Sequence, residues 1–370
     1  LHQIVRYYSD SFNPSGLKNH SLSGNFQAQS KAIWPYILTV PMLNISTFKP
    51  AWWLRNCHLQ TIYPALIRKT PTVPQLWRER IITPDGDFLD LDYCGTGDGP
   101  LVIMLHGLTG SSESGYIKGL QIEFLRRGWR SVVMNFRGCS GEPNNKARSY
   151  HSGETEDLQF IYETLRQREP ETRFAAIGFS LGGNVLLKWL GEQGGRVRLS
   201  AAVAVSVPLL LNLCATKLDK GFSRLYRANL LAELKAYMSD KQAHLVRNGL
   251  HAEAAKIREL GDCTKITSFW QYDNIVVAGL YGFKDVHDYY QRASSRQFLR
   301  YIQVPTLIIQ ADDDPFMTPA VLPAHHELSA HVQLEVTRGG GHVGFVTHQG
   351  LIKPRYWLEE RIPAFLQLHW

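Results

Sequence analysis

Over most of its length the chain alternates short apolar runs with stretches of helical spacing. "LVIMLH" (101–106), "SVVMNF" (131–136), "RFAAIGF" (173–179) and "LSAAVAVSVP" (199–208) are apolar almost without interruption. A strand that is apolar on both sides belongs in a parallel sheet covered on both faces, so these runs predict an α/β fold. Between them, a helix is predicted from about Ser152, with Leu158, Ile161, Tyr162 and Leu165 on one face. Glu154, Glu156 and Asp157 near its start suit the positive end of the helix dipole, Ser152 reads as its N-cap, and Pro170 stops it. Upstream, "LWRERIIT" and "FLDLDYC" flank Pro84-Asp85-Gly86-Asp87 and predict a hairpin. The rhythm breaks after Pro208 and resumes at "VPTLIIQ" (304–310) and "VQLEVT" (332–337). Residues 49–208 and 299–370 are therefore expected to form one α/β core, with a helical insertion over 209–298 capping the sheet. Residues 1–48 are rich in Ser, Asn and Gln without a period, and are expected to be a poorly ordered extension.

Composition narrows the class. The 370 residues are 44% hydrophobic and 20% charged, which suits a globular chain with a sizeable core. The net charge of +7 is not gathered into any run of five or more Lys/Arg, so a nucleic-acid partner is not expected. Five scattered cysteines without C-x-x-C spacing argue against a disulfide framework or structural zinc, and for a reducing, cytoplasmic setting. The apolar stretch Ala32 to Leu43 is short and broken by Pro35 and Pro41, so no transmembrane segment or signal peptide is expected, although peripheral membrane contact stays open. The chain opens on Leu1 rather than Met, and its first segment is expected to be incomplete or unnatural.

The candidate chemistry centres on "GFSLGG" (178–183), read as strand, sharp turn and helix. A serine on such a turn sits in a strained backbone conformation, and side chains two residues to either side would clash. Gly178 and Gly182 remove that clash, with Gly183 added. Glycines at a close helix–strand contact produce the same pattern, so Ser180 needs partners before it can be called a nucleophile. The order expected on this framework is Ser, then an acid, then His. Ala311-Asp312-Asp313-Asp314-Pro315 follows one strand, and Gly339-Gly340-Gly341-His342 follows the last, in a loop flexible enough to bring an imidazole back over the sheet. Spacing alone does not decide among the three aspartates. Asp314 is preferred because Asp312 and Asp313 fit turn residues that satisfy local backbone donors. For an oxyanion, the Leu181 N–H supplies one donor, and the His106-Gly107-Leu108 loop supplies the other through Leu108. His106 is read as shaping that loop rather than as a base.

Other residues carry competing readings. Cys139 reads as a small buried hydrophobe rather than a reactive thiol. His151 and Asp157 resemble His/Asp acyltransferase patterns, but also fit a helix start. Cys57-His58 lacks a second ligand pair at metal spacing. Phe269, Trp270, Tyr272, Phe283, Tyr289 and Tyr290 either line an acyl pocket or pack the insertion.

Together, "NCHLQT" (56–61), "PDGDFLDLDY" (84–93), "HGLTGS" (106–111), "NFRGCSGEPN" (135–144), "YHSGETED" (150–157), "GFSLGGN" (178–184), "DDPF" (313–316) and "GGHVGF" (340–345) resemble the YheT-type branch of the α/β hydrolases, from about residue 50 onward. The resemblance places a charge-relay serine on Ser180, its aspartate on Asp314 and its histidine on His342. It implies a serine hydrolase, with no metal or organic cofactor, acting on small-molecule or lipid-like esters. Related proteins act on medium-chain acyl esters, glycerides or phospholipids, and some transfer the acyl group to alcohols. Acyl transfer, and a binding protein that kept the fold without activity, are the rival expectations.

Overall fold

The computed structural model describes residues 44–370. Its centre is a nine-stranded sheet: β1 (Asn44–Ile45), β2 (Leu76–Ile82), β3 (Phe88–Cys94), β4 (Leu101–Leu105), β5 (Arg130–Met134), β6 (Phe174–Phe179), β7 (Ala201–Val205), β8 (Thr306–Ala311) and β9 (Val332–Thr337), in the order β1-β9-β8-β7-β6-β4-β5-β3-β2. Pairing is parallel from β1 through β5 in that order, and antiparallel where β3 meets β5 and β2. The predicted hairpin is thus the antiparallel edge of an otherwise parallel sheet. A separate antiparallel pair, β10 (Val346–Gln349) with β11 (Lys353–Tyr356), was not legible as strands.

Side-chain alternation explains why the strands read as continuously apolar. On β4, Leu101, Ile103 and Leu105 face one helical layer, while Val102 and Met104 face the other. The first layer is α3 (Glu156–Arg168) and α4 (Leu181–Gln193), the second α2 (Gly115–Leu125) and α11 (Leu358–Gln367). α1 (Cys57–Leu66) lies between β1 and β2 in the chain. Within the first layer Trp189 is fully buried, and its indole N–H donates to Gln159 Oε1 at 2.6 Å. Truncation of such a residue to alanine costs about 3–5 kcal/mol.

Between β7 and β8 the chain runs through α5 (Leu211–Leu218), α6 (Ser223–Arg247), α7 (His251–Glu259), α8 (Phe269–Tyr272), α9 (Ala278–Tyr281) and α10 (Val286–Ala293), with a π-helical turn at Asp273–Val277. These helices share their own apolar cluster, including Leu231, Leu234, Met238, Leu245 and Val276. No helix among the described residues is long and apolar enough to cross a membrane.

Three expectations change. The helix expected from Ser152 begins at Glu156 and is preceded by Thr155, which makes no side-chain cap. Ser152 is held by tertiary bonds instead: its N–H donates to Tyr289 Oη at 3.0 Å and its carbonyl accepts from Asn184 Nδ2 at 2.7 Å. The helix after the serine turn, expected over 184–190, starts already at Leu181. The expected disorder of residues 1–48 lies outside the described residues for 1–43. By contrast, Asn44–Ile45 pair with β9, and Phe48 is buried edge-on to Phe345 and Trp357.

One buried cation ties α6 to the sheet side. Lys241 is fully buried and donates to the Arg148 carbonyl at 2.5 Å and to Tyr237 Oη at 3.1 Å. Burial lowers it to about 7, helped by Arg137 and opposed by Asp87, Cys139 and Glu253. Its folded value lies below its unfolded one, so from about pH 7 toward the ordinary lysine range the unfolded chain binds the extra proton. Stability should therefore rise with pH across that window. Thermal melts of the wild type and Lys241→Met at pH 7, 8 and 9 should show the wild type gaining on the variant as pH rises; a constant difference would contradict this.

Candidate active site

β6 ends at Phe179, α4 begins at Leu181, and Ser180 between them has φ 50° and ψ −117°. That backbone is anchored on both sides, by the Ser180 N–H to the Val205 carbonyl (2.8 Å) and by the Asn184 N–H to the Ser180 carbonyl (3.1 Å). The flanking glycines are required by space. A Cβ on Gly182 would sit 2.5 Å from the His106 carbonyl oxygen, one on Gly183 2.7 Å from Val207 Cγ2, and one on Gly178 would run into the Gly182 carbonyl. Neither carbonyl is free to move, because Gly182 belongs to the first turn of α4 and His106 directly follows the central strand β4. The close-packing reading and the serine-presenting reading of these glycines are therefore one geometry.

The three loops at the carboxyl edge of the sheet bring Ser180, His342 and Asp314 together. Ser180 Oγ lies 2.9 Å from His342 Nε2, and His342 Nδ1 lies 2.8 Å from Asp314 Oδ2. With the proton on Nδ1, facing the carboxylate, Nε2 is left to accept from the serine hydroxyl. Asp314 is buried, and its other oxygen accepts the Phe316 N–H at 2.8 Å. The Phe316 ring lies flat on the imidazole, 4.0 Å away and within 5° of parallel, fixing the ring plane.

The histidine loop is pinned rather than flexible. Asp312 accepts the Gly339 N–H (2.8 Å) and Asp313 the Gly341 N–H (3.0 Å), so these aspartates bind donors of the neighbouring loop and not local ones. The His342 N–H donates to Thr61 Oγ1 at 2.9 Å, and the Val343 N–H to Ser206 Oγ at 3.0 Å. Gln60, fully buried on α1, donates to the Leu54 and Val346 carbonyls and accepts the Val346 N–H. Sequence reasoning missed Gln60, Thr61, Ser206 and Phe316. The "NCHLQT" run contained the first two, but nothing in its spacing says which loop it holds.

The loop after β4 is equally fixed. His106 is fully buried, lowered to about 4 by that burial; its Nε2 accepts the Phe136 N–H at 3.1 Å and its Nδ1 faces the Gly107 carbonyl at 2.8 Å. It is a neutral spacer beneath the loop, as expected. The Gly107 N–H donates to Tyr116 Oη (2.9 Å) and the Thr109 N–H to Tyr150 Oη (3.0 Å), which leaves Leu108 between two anchored amides. Leu108 and Leu181 both border the cavity that contains Ser180, and the Leu181 N–H is one of the amides that a helix start leaves without an intrahelical partner.

That cavity has a volume of about 710 Å³ and is mainly apolar. Phe269, Tyr272, Tyr289 and Tyr290 line it; Trp270 and Phe283 do not. Trp270 packs on Tyr290 and Phe283 on Tyr289, so the six aromatics divide between lining and packing. Asp273, in the π-helical turn, borders the cavity, accepts from Tyr290 Oη at 2.7 Å, and is pushed up to about 7 by burial. His151 is lowered to about 3 by burial and accepts the Gly153 N–H at 3.0 Å, while Asp157 is taken by Arg137 through two 2.7 Å bonds. The pair thus does not act together. Cys139 is half-buried as a residue, but burial of its thiol pushes it up to about 12, so it carries no thiolate at neutral pH. His58 Nδ1 bonds Tyr226 Oη at 3.1 Å, and no group of three metal-binding side chains occurs among the described residues.

Known proteins repeat this architecture. Residues 100–349 match the family model described as alpha/beta hydrolase fold. The Escherichia coli K12 protein named "Putative esterase YheT" is 40% identical over 323 residues, 86% of this chain and 92% of that protein. Phospholipase ABHD3 of Mus musculus is 29% identical over 310 residues, 81% of this chain and 73% of that protein. Among solved structures, the Pyrococcus furiosus esterase Pf2001 superimposes with a TM-score of 0.50 at 17% identity, over 81% of this chain and 98% of that one.

The clamp on the histidine loop is open to direct test. Thr61→Val removes the acceptor of the His342 N–H, which costs about 1–3 kcal/mol when a buried donor is left unpaired. Amide exchange across residues 340–346 should quicken relative to the sheet; unchanged protection would show that Thr61 does not hold the loop.

Proposed function

This chain belongs to the alpha/beta hydrolase family, and we propose that it is a serine carboxylesterase acting on lipid-like acyl esters through Ser180, His342 and Asp314. The observation that carries the reading is the unbroken relay from Ser180 through His342 to Asp314, at 2.9 and 2.8 Å, opening into a largely apolar cavity. His342 Nε2 takes the hydroxyl proton as Ser180 Oγ bonds to the ester carbonyl carbon, and the Leu108 and Leu181 N–H groups stabilise the oxyanion. The imidazolium, held by Asp314, returns that proton to the departing alkoxide. Water then attacks the acyl-enzyme with His342 as base, freeing the carboxylic acid and restoring Ser180. A protonated His342 is stabilised by the buried carboxylate beside it, and Phe316 keeps the ring from turning away.

The cavity supports an apolar acyl group. Its volume lies in the range of pockets that enclose drug-sized ligands. In this reading residues 209–298 form a cap, and the aromatic side chains of α8 and α10 receive the chain of the substrate. The relatives supply the class: one carries the word esterase in its name and another the word phospholipase.

Variants and a substrate series test the assignment. Ser180→Ala should lose all labelling by a fluorophosphonate probe and lower kcat by roughly 10⁴- to 10⁶-fold, with its circular dichroism unchanged. Labelling that survives in the folded variant would remove Ser180 from the mechanism. Asp314→Asn should lower kcat by roughly 10⁴-fold, because the imidazole then prefers the wrong tautomer. On a series of p-nitrophenyl esters, kcat/KM should peak at medium chain length, and added ethanol would report acyl transfer as ethyl ester.

A further inference from the structure

The cavity that holds Ser180 reaches the surface at a rim that is apolar and cationic at once. Leu66, at the end of α1, is 78% exposed; Phe222 and Leu225, at the start of α6, are 47% and 61% exposed. All three also line the cavity, so its apolar lining reaches the surface there. The two helices are joined there: the His58 ring of α1 packs on Phe222 at 4.2 Å and bonds Tyr226 Oη. Ile67, 62% exposed, and the exposed Leu59 extend the patch along α1. Contiguous apolar surface at a cavity mouth marks a binding face.

The charges left unpaired beside it are cations. Lys69 follows Leu66 and Ile67 at the end of α1, while Arg68 between them is taken by Glu359. At the other side of the mouth stand Lys217, Lys220 and Arg224; the neighbouring Asp219 is taken by Arg227 at 2.7 Å. Lys69, Lys220 and Arg224 are exposed and have no carboxylate partner among the described residues. Aliphatic side chains ringed by unpaired Lys and Arg match an anionic lipid–water interface: the apolar groups enter the acyl region while the cations stay at the headgroups.

We propose that this rim docks the protein on an anionic phospholipid bilayer, with the cavity mouth facing the lipid. The proposal rests on the ester-hydrolase reading for its purpose, since an acyl chain could then pass from bilayer to cavity along Leu66, Phe222 and Leu225 without crossing water. The docking itself requires no catalysis.

The test is co-sedimentation of the full chain with phosphatidylcholine vesicles, with and without phosphatidylglycerol. Binding should require phosphatidylglycerol and weaken as salt is raised. The variant Ile67→Ser/Lys69→Glu/Lys220→Glu/Arg224→Glu changes only positions outside the cavity wall and the Ser180 relay. It should bind these vesicles about 100-fold more weakly, yet hydrolyse a soluble p-nitrophenyl ester as the wild type does. The milder Ile67→Ser/Lys69→Ala/Lys220→Ala variant, expected to lose about tenfold, serves if the first does not fold. Ser180→Ala should bind as the wild type does, which separates docking from the hydrolase reading. Binding that ignores phosphatidylglycerol, equal binding by the variants, or a dimer in light scattering that the variants abolish in place of vesicle binding would each overturn the proposal.

Discussion

The backbone at Ser180 is held at φ 50° and ψ −117°, a region that a residue with a Cβ occupies only under constraint. Everything else in the site is arranged about that constraint. β6 fixes one side through the sheet, α4 fixes the other through its first turn, and the glycines at 178, 182 and 183 let strand and helix approach closely enough to meet. Such strain costs of order 1–3 kcal/mol, and it persists because the surrounding core over-determines it. Thr109, Ser206, Val343 and Phe345 also have positive φ, and they lie in the loops after β4, β7 and β9. Among the described residues, all the non-glycine positions of positive φ except Gln75 thus lie at the carboxyl edge of the sheet, where parallel α/β sheets gather their working groups.

A second layer keeps the distorted loops in place. The histidine loop contains three glycines in a row, yet it is bound at Gly339, Gly341, His342 and Val343 by Asp312, Asp313, Thr61 and Ser206. Those partners come from two other loops and from α1. Glycine is needed at 341 for a different reason from flexibility: a Cβ there would lie 2.5 Å from the Cys57 carbonyl oxygen. α1 thus approaches the loop as closely as backbone can, and its Thr61 and Gln60 side chains turn that proximity into hydrogen bonds. Freedom of the chain before folding becomes close packing after it.

Burial sorts the titratable groups by role. His106 and His151 are lowered by burial and stay neutral at physiological pH, so each serves as an acceptor for a backbone N–H. His342 alone among these three has a carboxylate against one nitrogen and a hydroxyl against the other. The Cys139 thiol is raised out of reach of ionisation, and Asp157 is spent on Arg137. Near the mouth the pattern reverses: cations lie exposed and unpaired beside exposed leucines, because that face meets its environment rather than the core.

The sequence alone determined the parallel sheet, since strands buried on both faces must be apolar at every position, as β4, β6 and β7 are. It also determined the serine turn and placed Asp314 and His342 in loops at strand ends, because a strand–glycine–serine–glycine–helix junction and such loops are local features. Its reading of the 150–155 segment failed, because Ser152 is bound by Asn184 and Tyr289, residues distant in sequence, and not by the helix beside it. Which aromatics line the cavity and which pack behind them was likewise undecidable, since both roles demand the same side chains. The union of α1 with the histidine loop spans some 281 residues of sequence between Thr61 and His342. No periodicity extends that far, so only the folded chain, by bringing those backbones into contact, decided what holds the histidine in place.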